Sequence, residues 1–233
     1  VQVEFSFDGI GSAAQSMSPA AIPTGHNNKG FFKRALMNLF IIAFMFGFVE
    51  LYTFCLGSGN GLIGLTISLA IISFWRTDIG IKPLQGAFVI WGSFLLTGGA
   101  TFLASFHPAI GVFVNFASIY IILTLTSHQP MAKAYYPILS CYLFAQSSPV
   151  YGIDYGLRMI GIAGGGLIVA IIYYMRHRKV KRRRNITDIF RETHFCSIRT
   201  KFFIRLTTGL TIAMLIGDFY HVLKPAWISF TVL

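Results

Sequence analysis

Charge is what this sequence has least of. Only 12% of its 233 residues are Asp, Glu, Lys or Arg, about half of the roughly 25% found in a soluble domain. With 55% hydrophobic residues, Phe alone numbering 23, and a mean hydropathy of +0.65, the surface has to face lipid rather than water. Acidic residues are scarcer than basic ones, 8 against 19. Cysteine is limited to Cys55, Cys141 and Cys196, which have no disulfide or metal spacing and read as small apolar side chains. Glu192, His194 and Cys196 have metal-capable side chains, but a two-residue spacing on a helix does not converge them on one ion. No set of residues stands out for nucleophilic or acid–base catalysis, so no enzyme, cofactor or metal is expected.

What charge there is concentrates in one place. Seven of the nine residues of Arg176–Arg184 are basic: Arg176, Arg178, Lys179, Lys181, Arg182, Arg183 and Arg184. The run follows an apolar segment directly, and such a cluster stays on the cytoplasmic side of a bilayer. Its flanks are hydrophobic spans rather than a folded basic domain, so anionic lipid headgroups, not nucleic acid, are its expected contact.

A spanning helix needs about 20 apolar residues for a core of roughly 30 Å. Candidates are Ala35–Leu56, Gly61–Trp75, Pro83–Ser105, Pro108–Ser127, Tyr135–Val150, Tyr155–Met175 and Phe202–Val222, with Trp227–Leu233 reading as the start of another. The second and fifth are short, and the fifth carries Pro137 and Pro149. With the N-terminus inside, Lys33, Arg34, Arg76, Lys82, Lys133 and the cluster all fall on inner loops. The outer turns Gly57–Asn60, Phe106–His107 and Tyr151–Asp154 hold no Lys or Arg, as the positive-inside pattern requires.

The expected fold is therefore an all-α, polytopic helical membrane protein. A mobile polar tail (1–29) precedes a six-span half (30–176), a basic cytoplasmic linker (177–201), and the first span and beginning of the next of a second, truncated half (202–233). In the linker, Asn185 can cap a helix with Asp188 in its first turn. Either an amphipathic helix lies there at the inner membrane face, or the seventh span extends into the cytoplasm. Phe203-Ile204-Arg205-Leu206 with Gly217 echoes Phe32-Lys33-Arg34-Ala35 with Gly47, as in transporters built from repeated halves.

Gly59-Asn60-Gly61-Leu62-Ile63-Gly64 matches a dinucleotide fingerprint, but that fingerprint needs a βαβ unit and here it is a turn between spans. The sequon Asn185-Ile186-Thr187 lies on the inner face. Gly161, Gly165, Gly98 and Gly99 read as helix-packing positions, because small residues let backbones approach in lipid.

Ionisable residues inside spans are expensive and therefore informative. Glu50, Arg158 and Asp218 are the three found here. At 1.5 Å per residue, Glu50 lies about 24 Å beyond Arg34 and Asp218 about 20 Å beyond Arg205, so all three fall in the outer half. They are the candidates for transport and proton coupling, with Arg158 expected to neutralise one of the carboxylates. Asn115, Gln85 and Gln146 either line a polar path or hydrogen-bond between helices.

The segment Pro225-Ala226-Trp227-Ile228-Ser229-Phe230-Thr231-Val232-Leu233 is similar to the Tyr-Trp-x-x-x-Thr-Val segment of the fusaric acid resistance family, with Ala226 in place of the Tyr. The layout from Ala35 to Met175, closing on a Gly-rich helix and a basic run, resembles the same family, which includes the aromatic acid exporters. The resemblance implies proton-coupled efflux of small organic acids from the cell (inner) membrane. An organic-anion channel and a non-transporting scaffold of the cell envelope are the alternatives. Expected partners are membrane lipid, an organic anion and, in a homo-oligomer, further copies of the chain.

Overall fold

The computed structural model describes residues 28–126, 134–180, 184–191, 198–219, 229 and 231–233. The polar tail and Lys181, Arg182 and Arg183 lie outside them. Every regular element among the described residues is a helix: α1 (Asn28–Leu56), a 3₁₀ turn (Ser58–Asn60), α2 (Gly61–Arg76), α3 (Pro83–Ala104), α4 (Pro108–Thr126), α5 (Tyr136–Ser147), α6 (Ile153–His177), α7 (Ile186–Arg191) and α8 (Ile198–Phe219). Six are long and apolar enough to cross a membrane: α1, α2 with its preceding turn, α3, α4, α6 and α8. Large apolar side chains such as Phe54, Phe88, Phe113 and Ile160 stand exposed on their outer faces. A water-soluble monomer does not tolerate so much exposed apolar surface. The chain is an all-α, multi-pass membrane protein.

The chain divides into two compact units, Val1–Ile41 and Ile42–Leu233. In the first, the described side chains from Phe32 to Phe40 are exposed. The second holds all the packing that follows.

Glycine sets the helix register. A Cβ at Gly86 would lie 2.6 Å from the Tyr173 ring, one at Gly166 2.6 Å from Phe94 Cβ, and one at Gly98 2.5 Å from Met159 Sδ. Position numbers rise along α3 as they fall along α6, so the two run antiparallel in close contact. Gly161 makes the same approach to Tyr52 of α1, and Gly165 to Ile67 of α2. Gly99 does not: nothing lies within 4 Å of the Cβ it lacks. The packing role expected for Gly99 is corrected: the position faces open space.

The fifth span differs from a full crossing. α5 has 12 residues, about 18 Å of rise, against a core of roughly 30 Å. Its side chains from Pro137 to Leu143 are all buried, as are Ala134 and Tyr135 before it. Non-helical backbone is tolerated at membrane depth when protein rather than lipid surrounds it, so a short helix suffices here.

At the basic end the linker docks on the start of α3. Lys82 N–H donates to Arg184 O at 3.1 Å, and Ile186 N–H to Gln85 Oε1 at 3.1 Å. Gln85 is thus a tether between segments. Asn185 N–H donates to Asp188 Oδ2 at 2.8 Å, a carboxylate at N3 reaching back to the cap. Ile189 of α7 is fully buried, so this helix seats against the protein beside α4.

Candidate functional site

Three connections meet at the opposite end of the bundle: the α1–α2 turn, the α5–α6 link and the α3–α4 corner. Two of the turn residues adopt backbone that only glycine takes easily, Gly57 at φ 91° and Gly152 at φ 62°. Gly152 caps α6, and Asp154 follows in the first turn, where the helix dipole favours an anion.

Arg158 comes one turn after Asp154 and is only 2% exposed. Burial takes a charge out of water at a cost of several kcal/mol unless partners replace the solvent. The partners here are neutral oxygens. Nε donates to Asn60 Oδ1 at 2.8 Å, Nη1 to Ala145 O at 3.2 Å and to Ser148 O, and Nη2 to Gly59 O at 3.1 Å. Asn60 is held in turn by its own side-chain amide, which donates to Leu56 O at 2.7 Å. One guanidinium therefore bolts the α1–α2 turn and the C-terminal carbonyls of α5 to α6.

The expected pairing of Arg158 with Glu50 is corrected. Glu50 is exposed on α1, Asp154 is exposed on α6, and neither accepts a bond from the guanidinium. The side chain of Asp218 lies outside the described residues. Carbonyls at a helix end carry partial negative charge, and those of α5 face the guanidinium where no described carboxylate does.

A guanidinium has five N–H donors. Four bonds are made, which leaves one Nη2 N–H with no described acceptor. Arg158 also lines a cavity of about 260 Å³ together with Thr101, Gln146, Tyr151 and Tyr155. Ser105, Pro149 and Tyr151 on its rim are exposed, so it opens at this end of the bundle. Gln146 Oε1 is buried there without a partner. Tyr155 Oη donates to Gly98 O at 2.8 Å, and its ring lies 5.3 Å from that of Phe102, giving the cavity an aromatic wall. The volume falls below the roughly 300–1,000 Å³ of drug-sized sites, which suits a small molecule. Chemically, the site offers a positive charge with no described carboxylate beside it, one donor without a described acceptor, an amide and an aromatic surface.

Of the described residues singled out in the sequence, Arg158 and Gln146 line this cavity and the others do not. Asn115 is buried and accepts from Tyr142 Oη at 2.6 Å, a bond between α4 and α5. Arg176 lies 5.5 Å over the Trp75 ring, while Arg178 and Lys179 are exposed. Asn60 and the α5 carbonyls were missed. The signal for Asn60 was present: a lone amide between glycines at a span junction, facing a chain with a lone arginine in a span.

Comparison with known proteins adds no relative: no family model, no curated protein and no solved structure matches the chain.

Proposed function

We propose that this protein carries small organic acids out across the cell membrane in exchange for protons, with the Arg158 cavity as the anion subsite of its outer half. One observation supports the reading above the rest. Among the described residues, a buried arginine has only neutral oxygens as partners, and its remaining donor belongs to a wall of a cavity that opens at one membrane face. A carboxylate entering that cavity supplies the missing negative charge. Charge-assisted hydrogen bonds of this kind are roughly twice as strong as neutral ones. Membership of the fusaric acid resistance family is proposed with it, on the residues from Arg205 to Leu233.

The orientation that belongs to this reading places Arg176–Arg184 in the cytoplasm. A cysteine at Val180, which is 39% exposed, should escape an impermeant thiol reagent added outside intact cells. Labelling at that position from outside would reverse every loop.

Transport is tested with benzoate as the probe. Vesicles preloaded with unlabelled benzoate should transiently concentrate labelled benzoate above equilibrium, which a carrier does and a pore does not. Glu50→Gln and Asp218→Asn keep size and remove titration. Efflux driven by an imposed pH gradient should fail in these variants, while benzoate still raises the melting temperature. The channel reading is favoured by Glu50, which is exposed on α1 and does not line the cavity. Normal rates and normal pH dependence in both variants, without counterflow, would establish it instead.

A further inference from the structure

Between α3 and α6, on the half of the bundle nearest the basic cluster, runs an apolar groove of about 210 Å³. Phe88 and Trp91 wall it on one side, Ile171 and Tyr174 on the other, and Ala87 and Ala170 form the floor. The small floor residues, and the glycine contact of Gly86 with Tyr173 behind them, bring the helices close enough to leave a channel rather than a ridge. Trp91 Nε1 donates inward to Ala163 O at 3.2 Å, so the indole's polar edge is satisfied and its apolar surface is left for the groove. Phe88, Ile171 and Tyr174 are respectively 61%, 49% and 40% exposed, on helices long enough to span.

The mouth of the groove is positive. Arg178 follows Tyr174 by one helical turn and so continues the same face. Lys82 caps α3 two residues before Leu84, which also lines the groove. Both are exposed, and the Lys82 amide holds the basic linker overhead through Arg184 O. The described carboxylates of this end are engaged by other groups. Asp78 accepts from Tyr173 Oη at 2.8 Å and from Gly80 N–H at 3.0 Å, and Asp188 from Asn185 N–H.

We propose that this groove seats one acyl chain of an anionic phospholipid from the leaflet on the basic side, its phosphate held by Lys82 and Arg178. The apolar floor selects a chain, and the two cations select the headgroup. The site is independent of the transport reading, since it shares no residue with the Arg158 cavity.

The test uses the full chain carrying Trp75→Phe and Trp227→Phe, which leaves Trp91 as the fluorophore, in vesicles of phosphatidylcholine doped with lipid brominated at mid-chain. Brominated phosphatidylglycerol should quench Trp91 at a lower mole fraction than brominated phosphatidylcholine, by about five-fold for each of the two cations. Lys82→Gln with Arg178→Gln should bring the two curves together. Equal midpoints in the starting protein overturn the proposal. A preference that survives the double substitution overturns it as well, because the headgroup would then be held elsewhere. A circular dichroism spectrum unchanged by the substitutions shows that each variant compared is folded.

Discussion

Replacing Arg158 with methionine is expected to lower stability by on the order of 3 kcal/mol even without a ligand. Four acceptors lose their donor: Asn60 Oδ1, Gly59 O, Ala145 O and Ser148 O. A buried polar group left unmade costs about 1–3 kcal/mol. Removing a buried charge without a counterion offsets part of that sum. At this chain length the net loss corresponds to roughly 6–12 °C in melting temperature, readable by thermal unfolding in detergent. Arg158→Lys should fall between, because an ammonium keeps the charge but not the planar fork that reaches three segments at once. Both variants should lose the stabilisation that benzoate gives the wild-type protein. A methionine variant that melts with the wild type would mean that water reaches these oxygens and that the guanidinium bolts nothing.

The second large effect sets neighbouring glycines against each other. Gly166→Ala places a methyl group 2.6 Å from Phe94 Cβ and 2.8 Å from its Cγ, on a ring that is fully buried. Overpacking of that kind costs about 1–3 kcal/mol. Gly164→Ala meets nothing within 4 Å and gains the helix propensity of alanine, up to about 1 kcal/mol. The two substitutions, two residues apart, should move the melting temperature in opposite directions. If both destabilise, the α3–α6 register given by the glycine contacts is wrong. A larger side chain at Gly99 should behave like Gly164→Ala, since it too faces open space.

These contrasts show what the residues alone disclose. The ends of helices were legible because Pro83 and Pro108 sit at first turns and Gly57 and Gly152 take positive φ at the turns. The prominence of Arg158 was legible from the cost of a charge in a span. Its partners were not, because a backbone carbonyl has no signature in a sequence, and the nearest carboxylates drew the inference instead. Gly98 and Gly99 were indistinguishable because the hydrophobic pattern around α3 does not reveal which face meets α6. The shortness of the fifth segment was legible from its 16-residue apolar run and its two prolines. Its final length of 12 helical residues was not, because burial by neighbours rather than by lipid decides where the helix ends.

That shortness has a consequence for how the protein is made. A segment is accepted into the bilayer during synthesis largely on its own apolarity and length, and α5 offers only 12 helical residues with carbonyls at one end that need a donor. The donor, Arg158, belongs to α6, which leaves the ribosome later. α5 therefore gains these bonds only once α6 has been made and Arg158 closes over Ala145 and Ser148. Synthesis of the protein should pass through a state in which α1 to α4 are already in place while α5 and α6 enter together as one hairpin, and a chain arrested between them should leave the α5-facing side of α2 uncovered.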